Sequence, residues 1–374
     1  MLKFADFHIH SKFSMATSRD MEPPALLWGC LRKGIGILGT GDALHPEWRR
    51  LWEPYLENDA GIVIVPQSEI EDQKRVHHLI LAEDLAQFSQ LRDLLAGKCK
   101  SFETSGRPHV YLSGEEIAAL AHEVGALVGP AHAFTPWTAL FAYFDSVPAC
   151  YGNEKIDFLE LGLSADSSYG AAIGDLYDVP FLTNSDAHSP YPDKLGREFN
   201  RIRLGNRTAK DVLASIRSGA IEMNAGFFPE EGKYNRTACT RCFTQYLPEQ
   251  AIGYSWRCPA DGGIIKKGVS DRAKELAHGG EARPRPPYVH ILPLAQIIQT
   301  MEGSSSPNTK KCKAIYALFI ATFGNEIAVL LDVPVAEIRA IHPKVADAVS
   351  ALRSGTVTLH PGGGGKYGTF SLGK

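Results

Sequence analysis

No apolar stretch in the 374-residue sequence is long enough to span a bilayer. The longest late run, Ala314 to Phe323, is ten residues, against about 20 for a membrane helix. Cysteine is scarce: seven residues, an odd number with three clustered, which excludes a disulfide framework and suits a reducing cytoplasm. There is no internal repeat of fixed period, which excludes a solenoid, and the first residues read as a core strand rather than a leader. Excess charge of one sign is also missing overall, since the net charge is −3. That balance conceals an asymmetry: residues 1–232 carry 21 Lys/Arg against 32 Asp/Glu, and residues 233–374 carry 18 against 10. A basic back half of this kind is suited to a polyanion. With 44% hydrophobic and 22% charged residues the chain is ordinary globular protein, and its length suggests two or three domains.

What is present is metal-ligating residues at strand ends. A β-rich run ends in Asp6-Phe7-His8-Ile9-His10, and far along the chain stands Asn184-Ser185-Asp186-Ala187-His188. In a strand, i and i+2 share a face, so each segment presents two ligands together. Seven strands are predicted: Lys3–His8, Gly36–Thr40, Gly61–Pro66, His78–Ala82, Ala126–Pro130, Phe158–Leu161 and Pro180–Asn184. Helical stretches alternate with them, among them Pro23–Lys33, Leu85–Leu95, Ser113–Glu123 and Ala171–Leu176. This alternation argues for parallel pairing. Because His or acidic residues end nearly every strand, a closed barrel with one rim is the expected architecture, in preference to an open sheet.

The candidate ligands are His8, His10, Glu69, His78, His132, Asp186 and His188, with Asp42 and His45 competing for one role in the loop Gly39–Pro46. His78 is preferred over His77, which points the other way on the same strand, and Asp6 is a candidate hydrogen-bond partner for a ligating imidazole. The set is too large for one ion, contains no Cys, and implies a multinuclear site of Zn, Mn, Mg or Fe. Such a site activates water at neutral pH for phosphoester hydrolysis. Asp186, His188 and Glu69 are the expected catalytic residues.

In their order along the chain these motifs resemble the polymerase-and-histidinol-phosphatase (PHP) superfamily. The resemblance implies an α/β fold, a distorted (β/α)7 barrel with a trinuclear centre. It leaves Asp42 and His45 as alternatives, with His45 carried in the ligand set, and adds Asp20. The segments Ala131–Trp137, Glu160–Asp166, Asn184–Pro190 and Lys194–Glu198 narrow the match to the endonuclease Q family. That family implies a barrel over 1–232, a small zinc-ribbon-like domain over 233–280 and a basic, mostly helical C-terminal domain over 281–374. It implies a DNA repair endonuclease that nicks double-stranded DNA 5′ to deaminated bases (uracil, hypoxanthine, xanthine) and abasic sites, leaving a 3′-hydroxyl and a 5′-phosphate.

Within this frame, Cys239, Cys242 and Cys258 with Asp261 in the fourth position have the spacing of a zinc ribbon. The damaged nucleotide is expected to leave the stack and enter loops where Trp137 or Tyr169 stacks on it and Ser164 or Ser167 bonds a base carbonyl. Lys194, Arg197 and Lys344 are phosphate candidates, supported by Arg283, Arg285, Lys310, Lys311 and Lys313. A replication sliding clamp is carried as a candidate partner, although the ending Gly368–Leu372 is too generic a motif to identify one. The alternatives are a PHP-type small-molecule phosphatase, which leaves the basic half without a purpose, and a non-catalytic DNA-binding module, which the ligand set disfavours.

Overall fold

The structure, a computed structural model, describes residues 1–99 and 102–372. The strands of the first part are β1 (Leu2–Asp6), β2 (Ile37–Gly39), β3 (Val63–Val65), β4 (Gln67–Glu71), β5 (His77–Leu81), β6 (Leu127–Pro130), β7 (Leu159–Glu160), β8 (Phe181–Leu182), β9 (Phe199–Arg203) and β10 (Ile221–Gly226). They are followed by β11 (Ala238–Cys239), β12 (Ile265–Lys266), β13 (Tyr288–His290), β14 (Val357–His360) and β15 (Thr369–Leu372). All seven predicted strands are present, six of them shorter than predicted and the other, β5, shifted by one residue from His78–Ala82 to His77–Leu81.

Pairing departs from the expected all-parallel arrangement. The sheet β13-β10-β9-β1-β2-β3 is parallel across β1-β2-β3 but antiparallel across β1-β9 and β9-β10, and β4-β5-β6 is wholly antiparallel. The cause lies at Pro66, which ends β3 so that the chain re-enters as β4. A tight turn then closes the hairpin to β5, with the Asp72 carboxylate accepting from Lys74 N and Val76 N, both at 2.8 Å. A hairpin needs no crossover helix, and its short turn left no signal of a second strand.

The sheets share one apolar interior. Ala5, Ile37, Val63, Val65, Leu79, Leu81, Leu127, Leu182, Ile202 and Ile221 are buried in a single cluster, to which the helix Ala209–Arg217 adds Val212, Leu213 and Ile216. Each such side chain removed from water contributes roughly 1.5–3 kcal/mol. This interior holds the strand ends, and therefore the metal-type residues, in fixed positions. Helix Gly114–Glu123 begins as its sequence predicts: Ser113 accepts from Glu116 N, and the Glu116 carboxylate accepts from Ser113 N.

Beyond residue 290 the chain is helical through Leu294–Met301, Lys310–Phe323, Glu326–Leu331, Val335–Ile341 and Pro343–Ser354. These helices dock on helix Pro23–Lys33 through an apolar cluster that includes Leu26, Cys30, Leu294, Ile298, Phe319 and Ile327. At the centre of the contact lies a buried ion pair, Lys33 Nζ to Glu326 Oε1 at 2.7 Å. Lys33 also donates to Pro192 O, while Glu326 accepts from Leu294 N and from Tyr316 Oη.

Two parts of the back half differ from expectation. Tyr288–His290 pairs with β10 as a strand of the main sheet. The Pro361–Gly365 turn, whose four consecutive glycines read in sequence as a flexible segment, packs back on the chain: at Gly364 (φ 65°) a Cβ would meet Cys239 O at 2.1 Å, so only glycine fits. The ending weighed as a clamp motif is β15, paired with β14. Among the described residues no helix is long and apolar enough to cross a membrane.

Candidate metal centre

The ends of β1, β4, β5, β6 and β8 converge on Glu69, which lies wholly buried between four imidazoles and one guanidinium. Its carboxylate is 2.8 Å from His77 Nδ1, 3.0 Å from His132 Nε2, 3.5 Å from His10 Nε2, 3.7 Å from His8 Nε2 and 3.1 Å from Arg107 Nη1. Asp186 Oδ1 stands 3.2 Å from His10 Nε2 and 3.8 Å from His8 Nε2, and the His188 ring lies 4.5 Å from that of His10. Three sets of ligand-type atoms result: His8/His10/Glu69, Glu69/His77/His132 and His10/Asp186/His188, each within 4.8 Å of one another. They overlap at Glu69 and His10.

Two carboxylates orient the histidines from behind. Glu160 is 2.9 Å from His8 Nδ1 and also accepts from His132 N and Asn184 Nδ2. Asp42 is 3.2 Å from His10 Nδ1 and accepts from Ser11 N, Ser11 Oγ and Ser14 Oγ. With Nδ1 engaged, the Nε2 atoms of His8 and His10 face the cluster, buried and without a hydrogen-bond partner. A buried imine nitrogen left without a partner is costly, and a cation held there would satisfy both. The donor set of imidazoles and carboxylates with outer carboxylate partners suits divalent ions.

The electrostatics agree. Burial alone would depress His8, but Glu160, Glu69 and Asp186 raise it to about 9. Burial would raise the Glu69 carboxyl, and the surrounding His77, His132 and His8 instead hold it well below the usual range. Asp186 is likewise lowered, against burial, by His10 and His8. Positive charge among these carboxylates is strongly favoured. Asp42, His132 and Asp186 also adopt left-handed backbone, with φ of 42°, 33° and 46°. Such conformations cost roughly 1–3 kcal/mol each and collect where geometry serves a site.

His8, His10, Glu69, His132, Asp186 and His188 are thus brought together, and three expected ligands are not. His78 is replaced by His77: in the hairpin Glu71 pairs with His77 and Ile70 with His78, so His77 shares the face of Glu69 and Glu71. His78 faces away, bonded to Tyr151 Oη at 2.7 Å and Asp72 at 3.3 Å. His45 caps helix Pro46–Trp52, accepting from Trp48 N, with its other nitrogen 2.9 Å from Glu103 O. Asp42 is in none of the ligand groups either; it stands behind His10 as its hydrogen-bond partner. Asp20 stays at the surface, accepting from Tyr191 Oη. Asp6 does not support an imidazole either; it accepts from Ser185 N and Gly196 N, fastening the Asp186 loop to β1.

Glu160 and Arg107 were missed. Glu160 lies one residue from the end of the predicted strand Phe158–Leu161, and ligands also lie at strand ends, so position could have flagged it. Arg107 reaches the site from a loop that closes because Gly106 packs on Asp42, where a Cβ would meet the carboxylate at 2.1 Å; no local pattern marks it.

Beside the Asp186 loop opens a cleft of about 540 Å³ lined by Trp137, Ser164, Lys194, Arg197, Glu231, Lys233 and Tyr234 among others. Trp137 is 52% exposed, so it is not packed beneath its loop, and Lys266 lies 4.0 Å over its ring. Arg197 lines the cleft while donating to Ser185 O through Nε and to Asp186 O through Nη2. Ser167 and Tyr169 do not line the cleft; Ser167 is buried and Tyr169 Oη accepts from Asn235. Lys344 is exposed in the first turn of helix Pro343–Ser354. Arg285 binds Val179 O and Leu176 O and is structural.

The cysteine cluster is assembled. Cys242 Sγ and Cys258 Sγ are 3.7 Å apart, and Cys239 Sγ is 3.4 Å from Asp261 Oδ1. A tetrahedral ion with bonds of about 2.3 Å to sulfur has edges of about 3.8 Å, so the four groups already have the spacing of a zinc site.

The family model for the MJ0043 C-terminal domain matches residues 293–356. Uncharacterized protein MJ0043 of Methanocaldococcus jannaschii is 44% identical over 246 residues, covering 64% of this chain and 31% of that protein; the chain therefore spans about a third of that relative's length. The crystal structure of the lesion-specific endonuclease PfuEndoQ from Pyrococcus furiosus matches with a TM-score of 0.96 and 42% identity, over 100% of this chain and 96% of that one. An endonuclease Q complex with a 27-mer duplex substrate bearing an abasic lesion at the active site matches at 0.93 and 42%, over 100% and 97%. With full-length likeness at this level of identity, the chain belongs to the endonuclease Q family.

Proposed function

We propose that the chain is a metal-dependent DNA repair endonuclease that nicks the phosphodiester 5′ to deaminated bases and abasic sites. The observation that carries this reading is the set of three overlapping ligand groups with two buried, unpartnered imidazole nitrogens facing it. The likeness to a lesion-specific endonuclease and to a complex with abasic-lesion duplex supports the substrate. In this reading residues 1–232 form a distorted PHP barrel, 233–280 a zinc-ribbon-like domain and 281–374 a basic domain. His8, His10, Glu69, His77, His132, Asp186 and His188 hold a multinuclear divalent centre.

A divalent centre held by these residues would supply polarisation of a phosphoryl oxygen and a bound water of lowered pKa. The chain's own groups do the rest. Glu160 and Asp42 fix the tautomers of His8 and His10. Arg107, 27% exposed and anchored on Glu69, has donors left to take a phosphate oxygen, and a guanidinium suits that geometry. Lys344, Lys310 and Lys313 hold the duplex through its phosphates without reading sequence. The damaged nucleotide turns out of the stack, most cheaply where pairing is weak, into the cleft between Trp137 and Ser164.

The test is nicking of duplexes containing uracil, hypoxanthine, xanthine or an abasic site, with Mn²⁺, Mg²⁺ or Zn²⁺, beside Asp186→Asn. Nicking 5′ to the lesion by the wild type and its loss in the variant are expected. Monophosphatase activity without nicking would sink the reading. Zinc at Cys239, Cys242, Cys258 and Asp261 is tested separately by elemental analysis. One zinc per chain beyond the barrel ions is expected, lost in Cys239→Ser and resisting chelator longer in Asp261→Cys, because thiolate is the better ligand.

A further inference from the structure

Three buried asparagines stand in line across the strands behind the metal centre: Asn184 after β8, Asn200 on β9 and Asn224 on β10. Backbone groups fix which way each amide points. Asn184 Oδ1 accepts from Phe7 N at 2.9 Å, so Nδ2 is the atom that faces Glu160, 2.7 Å from Oε1. Asn200 Oδ1 accepts from Thr183 N at 2.9 Å, and its Nδ2 donates to Thr183 O and to Asn184 Oδ1. Asn224 Nδ2 donates to Phe181 O and to Asn200 Oδ1, both at 3.0 Å, while its own Oδ1 is buried without a partner. Each side chain in this ladder therefore donates to the next in the direction of Glu160. Amides polarised in one direction strengthen the last bond of such a chain.

We propose that Asn184 is a positioning residue for the metal centre: the ladder aims its amide N–H at Glu160, and that bond fixes the carboxylate that holds His8. The inference rests on the metal-dependent reading above. The two oxygens of Glu160 have separate tasks. Oε1 takes the Asn184 N–H, while Oε2 takes His132 N at 2.7 Å and makes the shorter approach to His8 Nδ1, 2.9 Å against 3.1 Å. A neutral imidazole that donates through Nδ1 keeps its lone pair on Nε2, the His8 atom that faces the ligand cluster without a partner. Exchanging donor and acceptor between positions 160 and 184 leaves this arrangement intact, whereas changing either position alone breaks it.

That exchange is the test. Asn184→Asp keeps the acceptor for Phe7 N and Asn200 but sets a second carboxylate against Glu160. In Glu160→Gln the amide oxygen turns to Asn184 Nδ2, and the NH2 group meets His8 Nδ1 and drives the ring proton to Nε2. In the double variant the introduced glutamine donates to the introduced aspartate, and its oxygen still accepts from His132 N and His8 Nδ1. Metal-free full-length protein is titrated with Mn²⁺, whose preference for hard ligands leaves the thiolate cluster aside; free and bound ion are read by electron paramagnetic resonance, beside unfolding midpoints. Each single variant is expected to bind Mn²⁺ about 10–100-fold more weakly than wild type, and the double to return to within about threefold with the wild-type spectrum of bound ion. Wild-type affinity in Asn184→Asp overturns the proposal. So does a double variant that fails to fold or binds no better than Glu160→Gln, a comparison that decides even where Asn184→Asp alone does not fold. Absence of Mn²⁺ binding by the wild type overturns the metal-dependent reading itself, and the proposal with it.

Discussion

Glu69→Gln is expected to reduce nicking by about a thousandfold. Among the described residues Glu69 is the only carboxylate within 4 Å of four histidines and a guanidinium in the centre, and two of the three ligand groups share it. The amide keeps its size but removes the charge that balances those groups. Charge stabilisation at a metal site amounts to several kcal/mol, and about 4 kcal/mol corresponds to roughly three decades in rate. Metal content should fall along with activity, read by mass spectrometry on the same samples. His77→Ala and His78→Ala then separate the two faces of β5. The first should lose metal and activity while unfolding near the wild-type midpoint. The second, which leaves the buried Asp72 and Tyr151 without their shared partner, should lower stability with little change in metal content. The reverse pattern would show that the ligand is His78.

The other large effect concerns stability. Glu326→Ala is expected to cost about 3–5 kcal/mol, because it leaves Lys33 charged, buried and without its counter-ion. Lys33 and Glu326 side chains are 1% and 0% exposed, so water cannot take over. Leu294 N and Tyr316 Oη lose their acceptor in the same change. The double variant Lys33→Met/Glu326→Leu should recover more than half of the loss, since apolar replacement of a buried pair is often neutral or better. Denaturant unfolding of the three proteins measures this. If Glu326→Ala unfolds at the wild-type midpoint, the pair does not hold the helical part in place. Because Lys33 also grips Pro192 O, four residues beyond His188, Glu326→Ala should in addition weaken nicking.

Much of the centre was legible because it follows local rules. His8 and His10, and Asp186 and His188, sit two residues apart at the ends of apolar runs, and a strand turns such pairs to one face. What was hidden depends on pairing between strands. Gln67–Glu71 reads as a loop after Pro66, and without its partner strand nothing local says which of His77 and His78 faces Glu69. The same holds for Asp42: its side chain reaches back to His10 while His45, three residues on, satisfies a helix start that looks equally well placed in sequence. Residues 281–374 read as a basic, mostly helical domain. Yet Tyr288–His290 completes the main sheet, a pairing over some 60 residues of separation that no local periodicity reports.

Residues 361–368 deserve a last consequence, drawn from how a chain is made. Tyr367 and Gly368 form part of the wall of the cleft, and Gly368 holds the backbone of Glu231. The metal-type residues from His8 to His188 are all synthesised earlier, about 180 residues before Gly368. On the ribosome the metal centre can therefore assemble well before the wall of the neighbouring cleft is complete. Until the tail folds back, the nascent protein has the ligand groups but not the closed cleft beside them.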